Sequence, residues 1–241
     1  MKPSAALFET FASETNEIAV FGNAFTISAN AILEGKGKRV TILQSQIGAT
    51  AVTLAGENCG LRDIFVDGVT LVASSIGVYM KAIDKTIATG LSAVGGRGGR
   101  WKELEIEGCT TNAKLYGSTN GDATGDSFQD NYWQGACRTS VTLGLDLAYV
   151  DAVVSHNRID VAFEDNAVTA VKIRGARYTD MMGSWWSGND VNMDVDDFAG
   201  GSFEDDNTIL GLWVRDFRMD TGSLEFAGEC DDVVFDRGLM A

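Results

Sequence analysis

The stretch Ser184-Trp185-Trp186-Ser187-Gly188-Asn189-Asp190-Val191-Asn192-Met193-Asp194-Val195-Asp196-Asp197 holds the two patterns from which the fold is read. Its second half alternates strictly, with Val191, Met193 and Val195 on one side and Asp190, Asn192, Asp194 and Asp196 on the other. A period of two is the signature of a strand with one buried face. The expected register buries Val191, Met193 and Val195 and turns Asp190, Asn192 and Asp194 outward, because a one-residue slip would carry charge into the core. The first half is a short apolar alternation closed by Gly188.

That first half returns as Ile64-Phe65-Val66-Asp67-Gly68, Leu104-Glu105-Ile106-Glu107-Gly108, Ala152-Val153-Val154-Ser155-His156, Val171-Lys172-Ile173-Arg174-Gly175 and Leu212-Trp213-Val214-Arg215-Asp216, with a degenerate copy at Asn131-Tyr132-Trp133-Gln134-Gly135. The copies begin at Ile64, Leu104, Asn131, Ala152, Val171, Ser184, Leu212 and Val233. Most steps lie near about twenty residues or its double, the length of one β-solenoid coil. The step from Val171 to Ser184 is too short for a coil, which assigns the two to different strands of one turn. Each unit has few inward side chains and gains a core only when the next stacks on it at about 4.8 Å. A β-sandwich is the alternative, since short strands between frequent turn signals fit it too. The expected organisation is an N-terminal cap or join over residues 1–16 and one β domain over residues 17–241.

Composition narrows the choice. Pro3 is the only proline among 241 residues, where average usage of about 5% would supply roughly a dozen; proline is excluded from strands paired on both sides. The formal charge of −15 argues against nucleic acid, whose binders replace counterions with lysine and arginine, and against anionic lipid. Met1 to Asn16 shows no charged region followed by an apolar core and cleavage site, so no classical secretory leader is expected. No apolar run reaches the 18 or so residues of a membrane span. Cys59, Cys109, Cys137 and Cys230 are far apart without C-x-x-C spacing, which points away from zinc; their even number permits disulfides, and reduced, buried thiols are the expectation. No cofactor motif is complete: Gly35-Lys36-Gly37-Lys38-Arg39 lacks the phosphate-loop spacing, and Gly95-Gly96-Arg97-Gly98-Gly99-Arg100 has no βαβ context. The latter, with Gly117 to Asp126, reads as a loop excursion from the coil.

Candidate functional residues follow from phase. Trp133 and Trp186 occupy inward positions, whereas Tyr132, Trp185 and Trp213 point outward. An exposed ring stacks on the apolar face of a sugar at low entropic cost, and a neighbouring carboxylate such as Asp190 accepts hydroxyl hydrogen bonds. Tyr132, Trp185, Asp190 and Trp213 are therefore the expected carbohydrate-binding residues. Asp190, Asp194, Asp196, Asp197, Glu204, Asp205 and Asp206 form the densest acidic region, without the spacing of a calcium loop. Paired carboxylates also carry glycoside cleavage, which makes Asp180, Asp190 and Asp194 the catalytic candidates. His156, the one histidine, stands at a turn, where it reads as a hydrogen-bonding residue.

The stacked short strands, scarce proline, corner glycines and asparagines, and runs such as Val154-Ser155-His156-Asn157-Arg158-Ile159 resemble the right-handed parallel β-helix of pectate-lyase-like proteins and bacteriophage tailspikes over residues 17 to 241. No catalytic motif of a pectate lyase or polygalacturonase matches, so no active residue is carried over. The resemblance implies a virion spike or tail-fibre component that contacts a cell-surface polysaccharide and other virion proteins, as a homotrimer on the particle surface. A polysaccharide-degrading hydrolase or lyase on the same scaffold is the second expectation.

Overall fold

The computed structural model describes residues 17–21, 25–37, 40–45, 50–68, 89–94, 96–117, 128–149, 154–182, 185–196, 209–220, 222–227 and 230–240. The expected cap over residues 1–16, the excursion Gly117 to Asp126 except for Gly117, which ends the strand Thr111–Gly117, and Asp197 with Glu204, Asp205 and Asp206 lie outside them.

Among the described residues the secondary structure is all strand, in a 16-stranded and an 8-stranded sheet. The pairings are parallel, which excludes the antiparallel sandwich. The chain is a parallel β-helix. One coil runs through Thr169–Arg174 in the 8-stranded sheet, then Ala176–Met182 and Trp185–Ser187 in the 16-stranded sheet. Val191–Asp196 then returns to stack on the starting strand, Met193 over Val171 and Val195 over Ile173. Val171 and Trp185 are thus in different sheets of one turn, as their short separation requires. The coils are longer and less even than about twenty residues: stacked partners are 22 apart at Lys172 and Asp194 but 26 apart at Asn131 and Asn157.

The core is the space between the sheets. Trp101, Trp133, Trp186, Phe128 and Phe163 are all but fully buried, with Trp133 edge-on to Trp101 at 6.2 Å and Trp186 edge-on to Phe163 at 5.3 Å. Burial of each such ring contributes about 2 to 3 kcal/mol. Cys59, Cys109 and Cys137 are buried, and burial pushes the thiols of Cys59 and Cys137 up.

Corners are held by two devices. Asn30, Asn58, Gly98, Asp130, His156, Tyr178 and Gly211 all have φ between 46° and 69°. The strand register on either side stacks them coil on coil. Buried asparagines supply the second device: Asn131 Nδ2 donates to Asn157 Oδ1 at 3.0 Å, Asn166 Nδ2 to Asn189 Oδ1 at 3.0 Å, and Asn189 Nδ2 to Asn192 Oδ1 at 3.1 Å. These ladders satisfy amides that would otherwise be costly to bury.

Two expectations are corrected here. Asn192 is 1% exposed and not outward, because it closes the asparagine ladder and donates to the Asp220 carbonyl at 3.4 Å; Val191 is only half-buried, while Met193 and Val195 are in the core. Residues 96–100 are no excursion. Gly96–Arg97 is a strand, Gly98 a stacked corner, and a methyl group on Gly99 would stand 2.8 Å from Asn131 Oδ1.

Candidate functional site

In a parallel stack the same strand position repeats on every coil, about 4.8 Å from its neighbour. Alternation then decides which positions form a surface row. In the 16-stranded sheet Trp101, Trp133, Ile159, Met181 and Val214 point into the core. The residue before each therefore points out. The register places these in a single ladder: Arg100 beside Tyr132, Tyr132 beside Arg158, Arg158 beside Asp180, Asp180 beside Trp213 and Trp213 beside Val234.

Three residues singled out separately in the sequence, Tyr132, Asp180 and Trp213, thus share one outward row. The Arg158 guanidinium lies over the Tyr132 ring at 5.5 Å and that of Arg215 over Trp213 at 5.9 Å. Arg215 Nη2 also donates to both carboxylate oxygens of Asp180 at 2.5 Å. The rings are held by cation–π contact and their faces are partly open.

The αL corner borders this row two residues upstream. There Tyr178, 43% exposed at φ 46°, stacks on His156 with ring centroids 5.2 Å apart. A bulky residue in the left-handed region carries a backbone cost. Gly211 makes the space: a methyl group built on it would stand 3.0 Å from the Tyr178 ring and 3.5 Å from Trp213 Cη2. Both rings therefore flank this glycine. His156, Tyr178 and Trp213 form an aromatic margin to the ladder, and His156 Nδ1 is 3.1 Å from Ser155 Oγ. Sequence phase misses Tyr178 because it sits at a corner, outside the alternation; only its stacking register with His156 and Gly211 reveals it.

Asp160 is the other residue the sequence reading passed over. It follows Arg158 by two positions on the same face, and burial pushes its carboxyl up, with Arg158 opposing and Glu103 reinforcing the shift.

The remaining candidates lie elsewhere. Trp185, 50% exposed, pairs with Arg218, whose guanidinium is 5.5 Å from the ring. It stands on the same sheet but in a second row, three residues beyond Met182. Asp190 is exposed on the corner past Gly188 and Asn189, so the bend separates it from Trp185. Asp194 is on the other sheet and bonded to Lys172 Nζ at 2.5 Å. Asp180, Asp190 and Asp194 are thus not brought together. Among the described residues no group of three or more His, Cys, Asp and Glu side chains is placed to hold a metal ion, and no helix is long and apolar enough to cross a membrane.

Among solved structures, the chain is similar to a mannuronan C-5 epimerase A-module of Azotobacter vinelandii, at 12% identity and a TM-score of 0.33, over 98% of this chain and 91% of that one. A second such module of the same organism gives 11% identity and a TM-score of 0.30, over 98% and 90%. A surface protein and adhesin of Streptococcus pneumoniae gives 10% and 0.30, over 93% of this chain and 68% of that one. No family model matches the sequence, and no curated protein does. The parallel β-helix assignment therefore stands on the strand pairing of this chain itself.

Proposed function

We propose that the ladder Tyr132, Arg158, Asp180 and Trp213, with Tyr178 at its margin, is a glycan-binding face, and that the chain is a virion spike or tail-fibre component presenting that face to a cell-surface polysaccharide. One observation carries the reading: two rings, Tyr132 and Trp213, bracket two charged groups, Arg158 and Asp180, along one row at the inter-strand spacing. Rings supply stacking area at low entropic cost, and the charged groups between them supply directional hydrogen bonds. A rigid coil stack holds such a row in place before the ligand arrives, which reduces the ordering cost of binding. The proposed assembly is a homotrimer that leaves this row accessible.

Trp213→Ala tests the face. Loss of at least tenfold in affinity for bacterial surface polysaccharide, by a variant that keeps its sedimentation coefficient, is the expected result. A monomer with undiminished binding overturns both the face and the trimer.

The enzymatic reading has its own support in Asp160, a carboxyl raised by burial and set diagonally from Asp180 across adjacent strands. A rung of about 4.8 Å and two residues of about 3.3 Å along the strand put their backbone positions roughly 8 Å apart, and inverting glycosidases hold their two carboxyl groups about 6.5 to 9.5 Å apart. In that reading Asp160 is the general acid. Shortening of the polysaccharide by the native chain and not by Asp160→Asn is its test, and retention without shortening rejects it.

A further inference from the structure

Two arginines of the ladder differ from most others among the described residues. Arg62, Arg138, Arg174, Arg215, Arg218 and Arg237 each have a carboxylate within ion-pair distance. Arg100 and Arg158 depart from this pattern. Arg100 Nη1 donates only to the carbonyls of Gly99 and Asp130, at 2.9 and 2.8 Å, and Arg158 lies over Tyr132. Both are exposed, and both flank Tyr132 on the ladder. Asp180, one rung above Arg158, is held by Arg215, and Asp160, two residues along the same face, acts on Arg158 through space without forming an ion pair.

In a chain of formal charge −15, two exposed guanidinium groups outside any ion pair, on either side of a half-exposed ring, are an arrangement with a direction. We infer that the face recognises an anionic glycan, one whose sugars carry a carboxylate or another oxyanion, with Arg100 and Arg158 taking the anion and Tyr132 the ring between them. The inference rests on the glycan-face reading and adds the class of sugar to it. Arg100 and Arg158 are two inter-strand spacings apart, about 10 Å, so a chain laid along the axis meets cation, ring and cation in turn. The planar guanidinium donates in a fork that fits a carboxylate or phosphate. Overall acidity does not oppose this, because charges more than about 8 to 10 Å away are largely screened at physiological salt, while the contact itself is short-range.

The experiment is calorimetry with the full chain. The panel holds oligosaccharides of several uronic acids, each beside the same oligosaccharide with its carboxyls reduced to alcohols, and a phosphate-substituted glycan. The expected result is that an acidic member binds at least tenfold more tightly than its uncharged counterpart and weakens as salt rises. Arg158→Gln removes that preference while Arg218→Gln, an ion-paired arginine of the second row, retains it. Preference for uronate or for the phosphate-substituted glycan tells which oxyanion is read. Equal binding of reduced and acidic forms, sensitive to Trp213→Ala and indifferent to Arg158→Gln, overturns the anionic class and leaves the glycan face standing. Equal loss in Arg158→Gln and Arg218→Gln overturns the assignment to this ladder. No binding anywhere in the panel overturns both readings.

Discussion

The two sheets carry outward ladders of the same construction in which charges are paired to different degrees. On the 8-stranded sheet Lys114, Asp146, Lys172, Asp194 and Glu225 stack in one row, and the signs alternate over most of it. Lys172 bonds Asp194, Arg174 reaches back to both oxygens of Asp146 at 2.7 and 2.9 Å, and the Tyr116 hydroxyl donates to Asp146 at 2.5 Å. On the 16-stranded sheet the row of Arg100, Tyr132, Arg158, Asp180 and Trp213 interleaves rings with charges, and two of its arginines have no ion pair. One scaffold and one rung spacing thus give a row whose central charges Asp146, Lys172 and Asp194 are paired within the protein and a row whose Arg100 and Arg158 form no ion pair.

The comparison breaks at its root if the shared core is lost. Met193→Asp sets a carboxylate between the sheets, at a cost of several kcal/mol, and the expected result is no soluble folded protein. Asp194→Asn, one residue on, keeps the fold within about 1 kcal/mol, because its ion pair is partly exposed. Equal damage from the two would refute the register.

A sharper contrast sets one carboxylate of each row against the other. Asp146→Ala leaves Arg174 and Tyr116 partly buried without their acceptor and is expected to cost about 3 kcal/mol in the denaturant midpoint. Asp180→Ala, from the more exposed pair with Arg215, is expected to cost about 1 kcal/mol or less. The reverse order would mean that the aromatic row is the structural one.

The smallest effect is a dependence on pH. Burial and the bond to Asp146 push the Tyr116 hydroxyl up from its ordinary value of 10.0. The folded chain therefore keeps this proton at a pH where the unfolded chain has lost it. By linkage the contribution is complete below about pH 10 and is lost as pH rises above it. Tyr116→Phe is expected to flatten the alkaline side of the stability profile relative to the native chain; identical slopes would show that the hydroxyl does not hold its proton in this row.

Much of this was legible beforehand, and the misses have physical causes. Strict alternation marks Trp133 and Trp186 as core and Tyr132, Trp185 and Trp213 as surface, because in a strand side-chain direction is a local property. Asn192 breaks the rule because a corner asparagine gains more from its ladder than from solvent. Tyr178 escaped because corner residues have no phase. Residue type alone links Asp194 to Asp180, and the two belong to different sheets.

The sequence by itself determined the strand period, the near absence of proline, the stacking of uneven coils and the inward or outward sense of most side chains. All of these depend on neighbours one or two residues away. Which outward residues share a row was decided only by the tertiary structure. Coil lengths differ, so the rung partner of Tyr132 is Arg158 and that of Asp180 is Trp213, at separations that no fixed repeat encodes. Arg100 and Arg158 outside any ion pair on either side of Tyr132, and the rings of Tyr178 and Trp213 beside Gly211, exist only once those coils are laid on one another.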